Sequence, residues 1–419
     1  MSEIVADVAR RGVHLLKGRL FNRPPLLARL TRALQSGGVA IACTPQEVQD
    51  VCLRTADFSN VAHADKLVAG PFVIGMDSGP VHARERAAAS HPLKQARFGD
   101  RAADEARRRL PRLRARLEDA FDLVDDYLAH VAWAGLGSVF DAPARDAIEG
   151  VAPGMARDAA LQSLYFELRQ VGGHLVVGGS TAPRAVQVRA AGCAAALNRR
   201  VERALPAIEA AWQGCPHAAA SAQRQAVGLM WVGHPAMVQA GVFVFQELRA
   251  RPAVYAALRS RVEGLGSDAY ADAALRQAVS GHVLECLRHR PPFPALPRLA
   301  PLGAQLRLRQ KEGVDRPATP VAAGGSVVVA IVAALQGVPW GDAYRPEEAL
   351  ALWQKNADKL PIFGIGARSC VARDDVLELL VSAAIGLLQL PELDYADSWW
   401  RPMRYDGPIV TRLRVKVRA

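Results

Sequence analysis

Apolar residues recur three and four positions apart over most of the chain. In "ADEARRRLPRLRARLEDAFDLVDDYLAHVAWAGLG" (103–137) and "RDAALQSLYFELRQVGG" (157–173) that period gathers the large apolar side chains on one helical stripe, and Gly closes each run. The middle of the chain therefore reads as helices. A run of another kind, "GLMWVGHPAMVQAGVFVF" (228–245), is apolar almost throughout. Its length would suit a membrane span, but His234, Pro235 and Gln239 stand at its centre, so it reads as a buried helix. Strand signals are short. They lie in "GGVAIACT" (37–44), "AQLRLRQ" (304–310), "GSVVVAIV" (325–332) and "IVTRLRVKVR" (409–418), the last alternating like a β-hairpin or an edge strand. From 336 to 362 the period fades among Pro, Gly and mixed charges, the mark of an irregular but ordered segment. The prediction is a mainly α chain with small β-sheets. No repeat, low-complexity tract or composition shift marks a linker, so a single domain over residues 1–419 is expected.

Composition changes this picture little. A chain of 419 residues, half of them apolar and 22% charged, is an ordinary globular protein with a large core. The net charge of +11 suits an acidic partner, yet Arg is scattered through helical segments such as "RRRLPRLRARLED" and no RNA- or DNA-binding motif accompanies it. Nucleic acid is not expected as a partner. Six scattered cysteines without a C-x-x-C pair argue for a reducing, cytoplasmic setting. The first 21 residues lack an apolar core of signal-peptide length, and no membrane anchor is expected there.

Chemistry enters at "PIFGIGARSC" (361–370). A thiolate is a soft ligand that persists near a metal, a positive charge or backbone N–H groups. Gly364 and Gly366 allow a tight turn that can approach a flat cofactor, and the helix expected from "VARDDVLELLVSAAIGLLQL" begins near the sulfur, with its dipole favouring the anion. Arg368 is placed to reach a cofactor carboxylate and Phe363 to shield the sulfur. The series Phe363-Gly364-x-Gly366-x-Arg368-x-Cys370 resembles the haem-binding loop of the cytochrome P450 family of haem-thiolate monooxygenases. Three further matches follow in the family's order. "ECLR" resembles its E-x-x-R helix, where Glu285 and Arg288 share a face as a bracing ion pair. Arg298 in "PALPR" stands where the family commonly places a propionate ligand, and "MDSGPVHARER" resembles D-x-P-x-H-x-x-x-R, which implies His82 and Arg86 as the other propionate partners.

The resemblance implies one large haem-binding domain with a long central helix over haem b, Cys370 as axial ligand to iron, a small organic substrate and a ferredoxin or flavoprotein electron donor. The departures bear on chemistry. The family's central helix usually carries an acid followed by an alcohol. Aligning Gly233 with the family's Gly puts Pro235 at the acid position and Ala236 at the alcohol position. His234 beside them is a candidate proton source near neutral pH, or else a core residue. Pro235 removes the N–H that would bond the Trp231 carbonyl, so the helix is expected to kink or open there, with that carbonyl free for a water or a substrate donor. Ala372 replaces the usual Gly two after the cysteine. The Arg that normally completes the E-x-x-R triad is missing, leaving Lys355 or Arg345 in its place, and "ALQGVPWGD" departs from the usual segment.

Two functions of the same fold follow: an oxygenase whose protons come from substrate or ordered water, or a peroxide-using or redox-neutral enzyme. A non-catalytic haem protein is a third. Gly172, Gly173 and the "VVGGSTAP" turn suggest a mobile lid, and Trp231, Met230 and Met237 a distal lining.

Overall fold

The structure, a computed structural model, describes residues 23–36, 40–60, 72–152, 154–174, 182–212, 218–306, 318–397, 403–406 and 409–418. The segment 1–22, Cys215 and most of the "VVGGSTAP" turn lie outside the described residues. Helix dominates, as the spacing predicts, with fourteen α-helices among the described residues. Those that position the site are α1 (Pro80–Ser90), α2 (Phe98–Arg114), α3 (Ala129–Leu136), α4 (Arg157–Gly173), α5 (Arg184–Ala211), α6 (Ala218–Arg249), α7 (Ala273–His289), α8 (Pro346–Asn356) and α9 (Arg373–Leu388).

α6 is the axis of the packing. It touches α1, α3, α4, α5, α7 and α9, and 83% of its most apolar window lies inside the protein, which is why its sequence is apolar on every side. One of its polar interruptions is paired at both ends. Gln239 donates to the Pro292 carbonyl (3.1 Å) and accepts from the Val410 N–H (3.3 Å), tying the helix to the C-terminal sheet.

Nine short strands are found among the described residues: β1 (Ile41–Ala42), β2 (Phe121–Asp122), β3 (Leu296–Ala300), β4 (Ala304–Leu306), β5 (Thr319–Val321), β6 (Gly325–Val329), β7 (Leu393–Tyr395), β8 (Met403–Asp406) and β9 (Ile409–Val417). β6 lies between β1, to which it is parallel, and β3, to which it is antiparallel, while β4 and β5 form a separate pair. β9 forms the expected hairpin with β8 but is no edge strand, since it also pairs with β2 and β7. The reason is its burial, with Ile409, Val410, Leu413 and Val415 all inside.

Three further expectations need correction. The run 103–137 is not one helix: α2 stops at Arg114, and Phe121–Asp122 turns aside to pair with Val415 and Arg414. The Asp122 carboxylate then accepts the Val124 N–H (2.9 Å) and starts the helical chain again. "GSVVVAIV" divides into β6 and a helix at Ile331–Leu335. Within 336–362, α8 is regular, and its start signals are visible in retrospect, with Pro346 at the first turn followed by Glu347 and Glu348.

Candidate functional site

Cys370 closes a loop whose shape depends on two glycines. Gly364 (φ 79°) and Gly366 (φ 61°) both adopt the left-handed region, and a Cβ on Gly366 would come within 2.8 Å of Leu53. The turn lets the Cys370 N–H donate to the Phe363 carbonyl (2.7 Å) and the Ser369 N–H to that of Gly366 (3.0 Å). The sulfur accepts from the Ala372 N–H, and α9 begins three residues on. Burial pushes the Cys370 thiol up, while that N–H and the charges of Arg86 and Arg373 pull the other way. The Phe363 ring meets Trp353 of α8 edge-on at 5.4 Å. Beside the loop a recess of about 630 Å³ is lined by Trp353, Lys355, Asp358, Ser369 and Arg373.

Beside the loop the sequence-distant cations converge. Arg86 of α1 donates to the Ser369 carbonyl (2.6 Å) and hydroxyl (3.3 Å). His82, one turn earlier and buried, is held below its usual value by burial and by the Arg368 and Arg86 charges. Arg298 on β3 is buried against Cys52, and burial followed by the Arg368 charge lowers it. Arg368 lies 3.4 Å from Asp77, and its Nη1 is buried without a partner. Asp77 is already occupied by the Ser59 hydroxyl and the Asn60 N–H, each at 2.7 Å. Arg298 and Arg368 thus face one carboxylate that is already engaged, and Arg86 has the Ser369 oxygens and Cys370 beside it, a deficit of negative charge that buried guanidinium groups do not tolerate alone.

The brace is better built than its sequence suggested. Glu285 and Arg288, both fully buried on α7, form a bidentate pair at 2.7 and 2.8 Å. Arg288 also donates to the carbonyls of Leu335 (3.1 Å), Gly341 (2.8 Å) and Ala343 (2.8 Å). Glu285 accepts from Trp340 Nε1 (3.3 Å) and the Arg345 backbone N–H (2.7 Å). Lys355 is exposed and takes no part. Arg345 serves, but with its main chain. The segment that departs from the family's usual pattern therefore supplies the partners, a role no residue spacing could reveal. Against the burial that would raise it, His289, whose Nε2 lies 3.7 Å away, together with Arg288 and the Arg345 N–H holds the Glu285 carboxyl down at about 2.

On the other side of the core, α6 presents Val232, Gly233 and Ala236 as a half-open face in an otherwise buried stretch. His234 lies off that face. Its Nε2 is 3.0 Å from the Ala129 carbonyl, its ring stacks on Tyr165 at 4.6 Å, and burial drives it down to about 3, so it stays neutral. The helical run continues unbroken through Pro235. Nor is the Trp231 carbonyl free, for Gly172 of α4 lies over it, so close that a Cβ there would stand 2.8 Å from that oxygen and 3.1 Å from the Pro235 ring. Gly172 and Gly173 are buried at the end of α4 and form no lid. Met230, Trp231 and Met237 are all core residues.

No family model matches the chain, and no curated protein matches it. Solved structures do. It is similar to CalO2 (19% identity, 90% of each chain, TM-score 0.64) and to a six-coordinated cytochrome P450 from Thermus thermophilus (18% identity, 91% of this chain and 92% of that one, TM-score 0.63). It is similar also to the open cytochrome P450 EryK of S. erythraea (19% identity, 94% and 96% covered, TM-score 0.62). The chain has the cytochrome P450 fold. At this identity the likeness concerns architecture, and the side chains must argue the rest. The P450 fold implies a haem, and the residues present suit one: the unpartnered Arg368 Nη1 and the surplus of buried cations match the two propionates, and the cysteine loop matches an axial ligand.

Proposed function

We propose that the protein is a haem-thiolate monooxygenase acting on a small organic substrate. The observation that carries the reading is the Cys370 loop set beside a buried cation cluster that lacks its anions. Cys370 would hold the iron of haem b, and His82, Arg86, Arg298 and Arg368 its propionates. Phe363 and Gly364 would shape the sulfur's surroundings, with Glu285 and Arg288 fixing the segment beneath. When bound, the haem supplies oxygen-activating redox chemistry that thiolate ligation favours.

The chain's own part at the distal face is restrained. Gly233 and Ala236 leave room, Pro235 and Ala236 carry no proton, and His234 is neutral and turned away. Proton delivery therefore falls to an ordered water or a substrate hydroxyl. The recess beside the loop suits a ferredoxin or flavoprotein donor, and its mixed charges would orient an acidic partner toward Arg373 and Lys355. A soluble, cytoplasmic enzyme is the setting this reading assumes. The absent acid–alcohol pair also supports a second reading, a peroxide-using or redox-neutral enzyme, which product formation without any electron donor would select.

The test is the absorbance of the reduced, carbon monoxide-treated protein. A strongly red-shifted Soret band that disappears in Cys370→Ser is expected. An unshifted band in the native protein would overturn thiolate ligation.

A further inference from the structure

Trp231 stands one turn before Pro235 on α6, and its two polar groups meet different fates. The backbone carbonyl is covered by Gly172. The indole N–H, a donor with no accepting capacity, is buried without any partner in a side chain that is 2% exposed. Buried indole N–H groups ordinarily find an acceptor, because leaving one unpaired forfeits the water it gave up.

The surroundings are apolar. The Phe72 ring meets Trp231 edge-on at 6.4 Å and lies flat on α6 at Gly228, where a Cβ would come within 2.2 Å of it. A bare stretch of helix is thus covered by one aromatic ring beside one orphaned donor, next to the half-open face at Val232. Two turns before Trp231 the cation, Arg224, has its charge neutralised by Glu85 at 2.7 Å from Nη2, although its Nε has no partner. An anion beside Trp231 would meet a cation already compensated by Glu85, whereas a neutral oxygen would find the indole N–H.

We propose that Trp231 is the polar anchor of the substrate site, donating its indole hydrogen to a neutral acceptor oxygen carried by an otherwise apolar small molecule that displaces the Phe72 ring from Gly228. The substrate class is then a ketone, ester or ether rather than an acid or a plain hydrocarbon. This rests on the monooxygenase reading for the word substrate, but its test does not depend on turnover. One neutral hydrogen bond that also satisfies an orphaned donor is worth about tenfold in affinity.

The experiment uses the reduced, carbon monoxide-bound holoprotein labelled with ¹⁵N-tryptophan, titrated with cyclooctanone and, separately, cyclooctane. Of the seven indole signals, the one absent from Trp231→Phe should move with the ketone and stay with the hydrocarbon. Wild type should prefer the ketone about tenfold, a preference lost in Trp231→Phe while hydrocarbon affinity is kept. Should that variant not fold, a single indole signal responding to the ketone alone carries the result. The proposal is overturned if wild type shows no preference, by binding both equally or neither. It is overturned also if the ketone binds without moving an indole signal, or if the preference survives in the variant. A failure of Cys370 to ligate iron would appear in the absorbance of the same sample and leave the indole signals readable.

Discussion

The two sides of the core treat polar groups in opposite ways. Around Cys370 and the Glu285–Arg288 pair, main-chain and side-chain donors meet acceptors at 2.6 to 3.3 Å, and the main exception, Arg368 Nη1, points to an anion the cofactor would bring. Around Pro235 and Ala236 the helix is stripped of proton carriers, the neighbouring His234 is neutral, and Trp231 keeps an unpaired N–H. The first arrangement fixes a group in place. On the proposed reading the second would leave the reacting partner to supply what the protein lacks, so a fold can keep its cofactor geometry while its chemistry is redirected.

Breaking the brace should have the largest effect. Glu285→Ala would leave Arg288 buried with three carbonyls but no carboxylate, at a cost of about 3–5 kcal/mol, while Lys355→Ala on the exposed end of α8 should change stability by under about 0.5 kcal/mol. Denaturant unfolding of both variants checks this, and equal effects would mean that the bidentate pair is not what holds the segment. The same carboxylate predicts an acid dependence. Its folded value of about 2 lies below the usual one near 4.5, so its contribution is complete above the unfolded value and is lost as the pH falls through the folded one.

How much of this was readable beforehand follows the same division. The cysteine loop, the E-x-x-R pair and the cations that converge beside the loop could be found because each is a fixed spacing of chemically distinctive residues. The partners of the brace could not, since Leu335, Gly341, Ala343 and Arg345 act through their main chains, which any residue carries. The regular helices were legible from period, but the turn into β2 was not, because long-range strand pairing with β9, Phe121 against Val415, overrides a local helical pattern. The cover over the Trp231 carbonyl depends on a glycine in another helix and leaves no trace in the sequence around Pro235.

That cover predicts the next effect in size. Gly172→Ala would press a methyl group onto the Trp231 carbonyl and the Pro235 ring, neither of which can swing aside, and should destabilise by about 1–3 kcal/mol. Gly192 is the control: it lies inside α5 with nothing near its missing Cβ, so Gly192→Ala should stabilise by about 0.5–1 kcal/mol. Thermal melts of the pair decide it, and a stabilising Gly172→Ala would show that α4 does not bear on α6 at this point.

His234 gives a smaller, pH-dependent effect. Its folded value of about 3 is below the unfolded 6.5, so the unfolded chain binds the extra proton between them and stability falls on acidification through that window. His234→Leu should remove up to about 1.4 kcal/mol per pH unit from the slope between pH 6 and 4. An unchanged slope would mean that the imidazole is charged in the folded protein and would reopen its candidacy as a proton source.

Ala236→Thr should change stability least and is the sharpest probe of the distal side. Ala236 sits on the half-open face, where an added hydroxyl and methyl meet space rather than packed core, so a shift under about 0.5 kcal/mol is expected in unfolding. The informative quantity is the share of electrons that ends as released hydrogen peroxide during turnover with a reconstituted ferredoxin system and cyclooctanone. A hydroxyl fixed on the helix competes with whatever water or substrate group now handles protons, so that share should change by roughly twofold or more. Should it stay constant while turnover continues, the missing alcohol is not what distinguishes this site, and proton handling must be sought away from α6. Should product form without the donor system at all, the open face serves a reaction that needs no electrons, and the replacement of acid and alcohol by Pro235 and Ala236 is explained by there being no reductive oxygen activation to support.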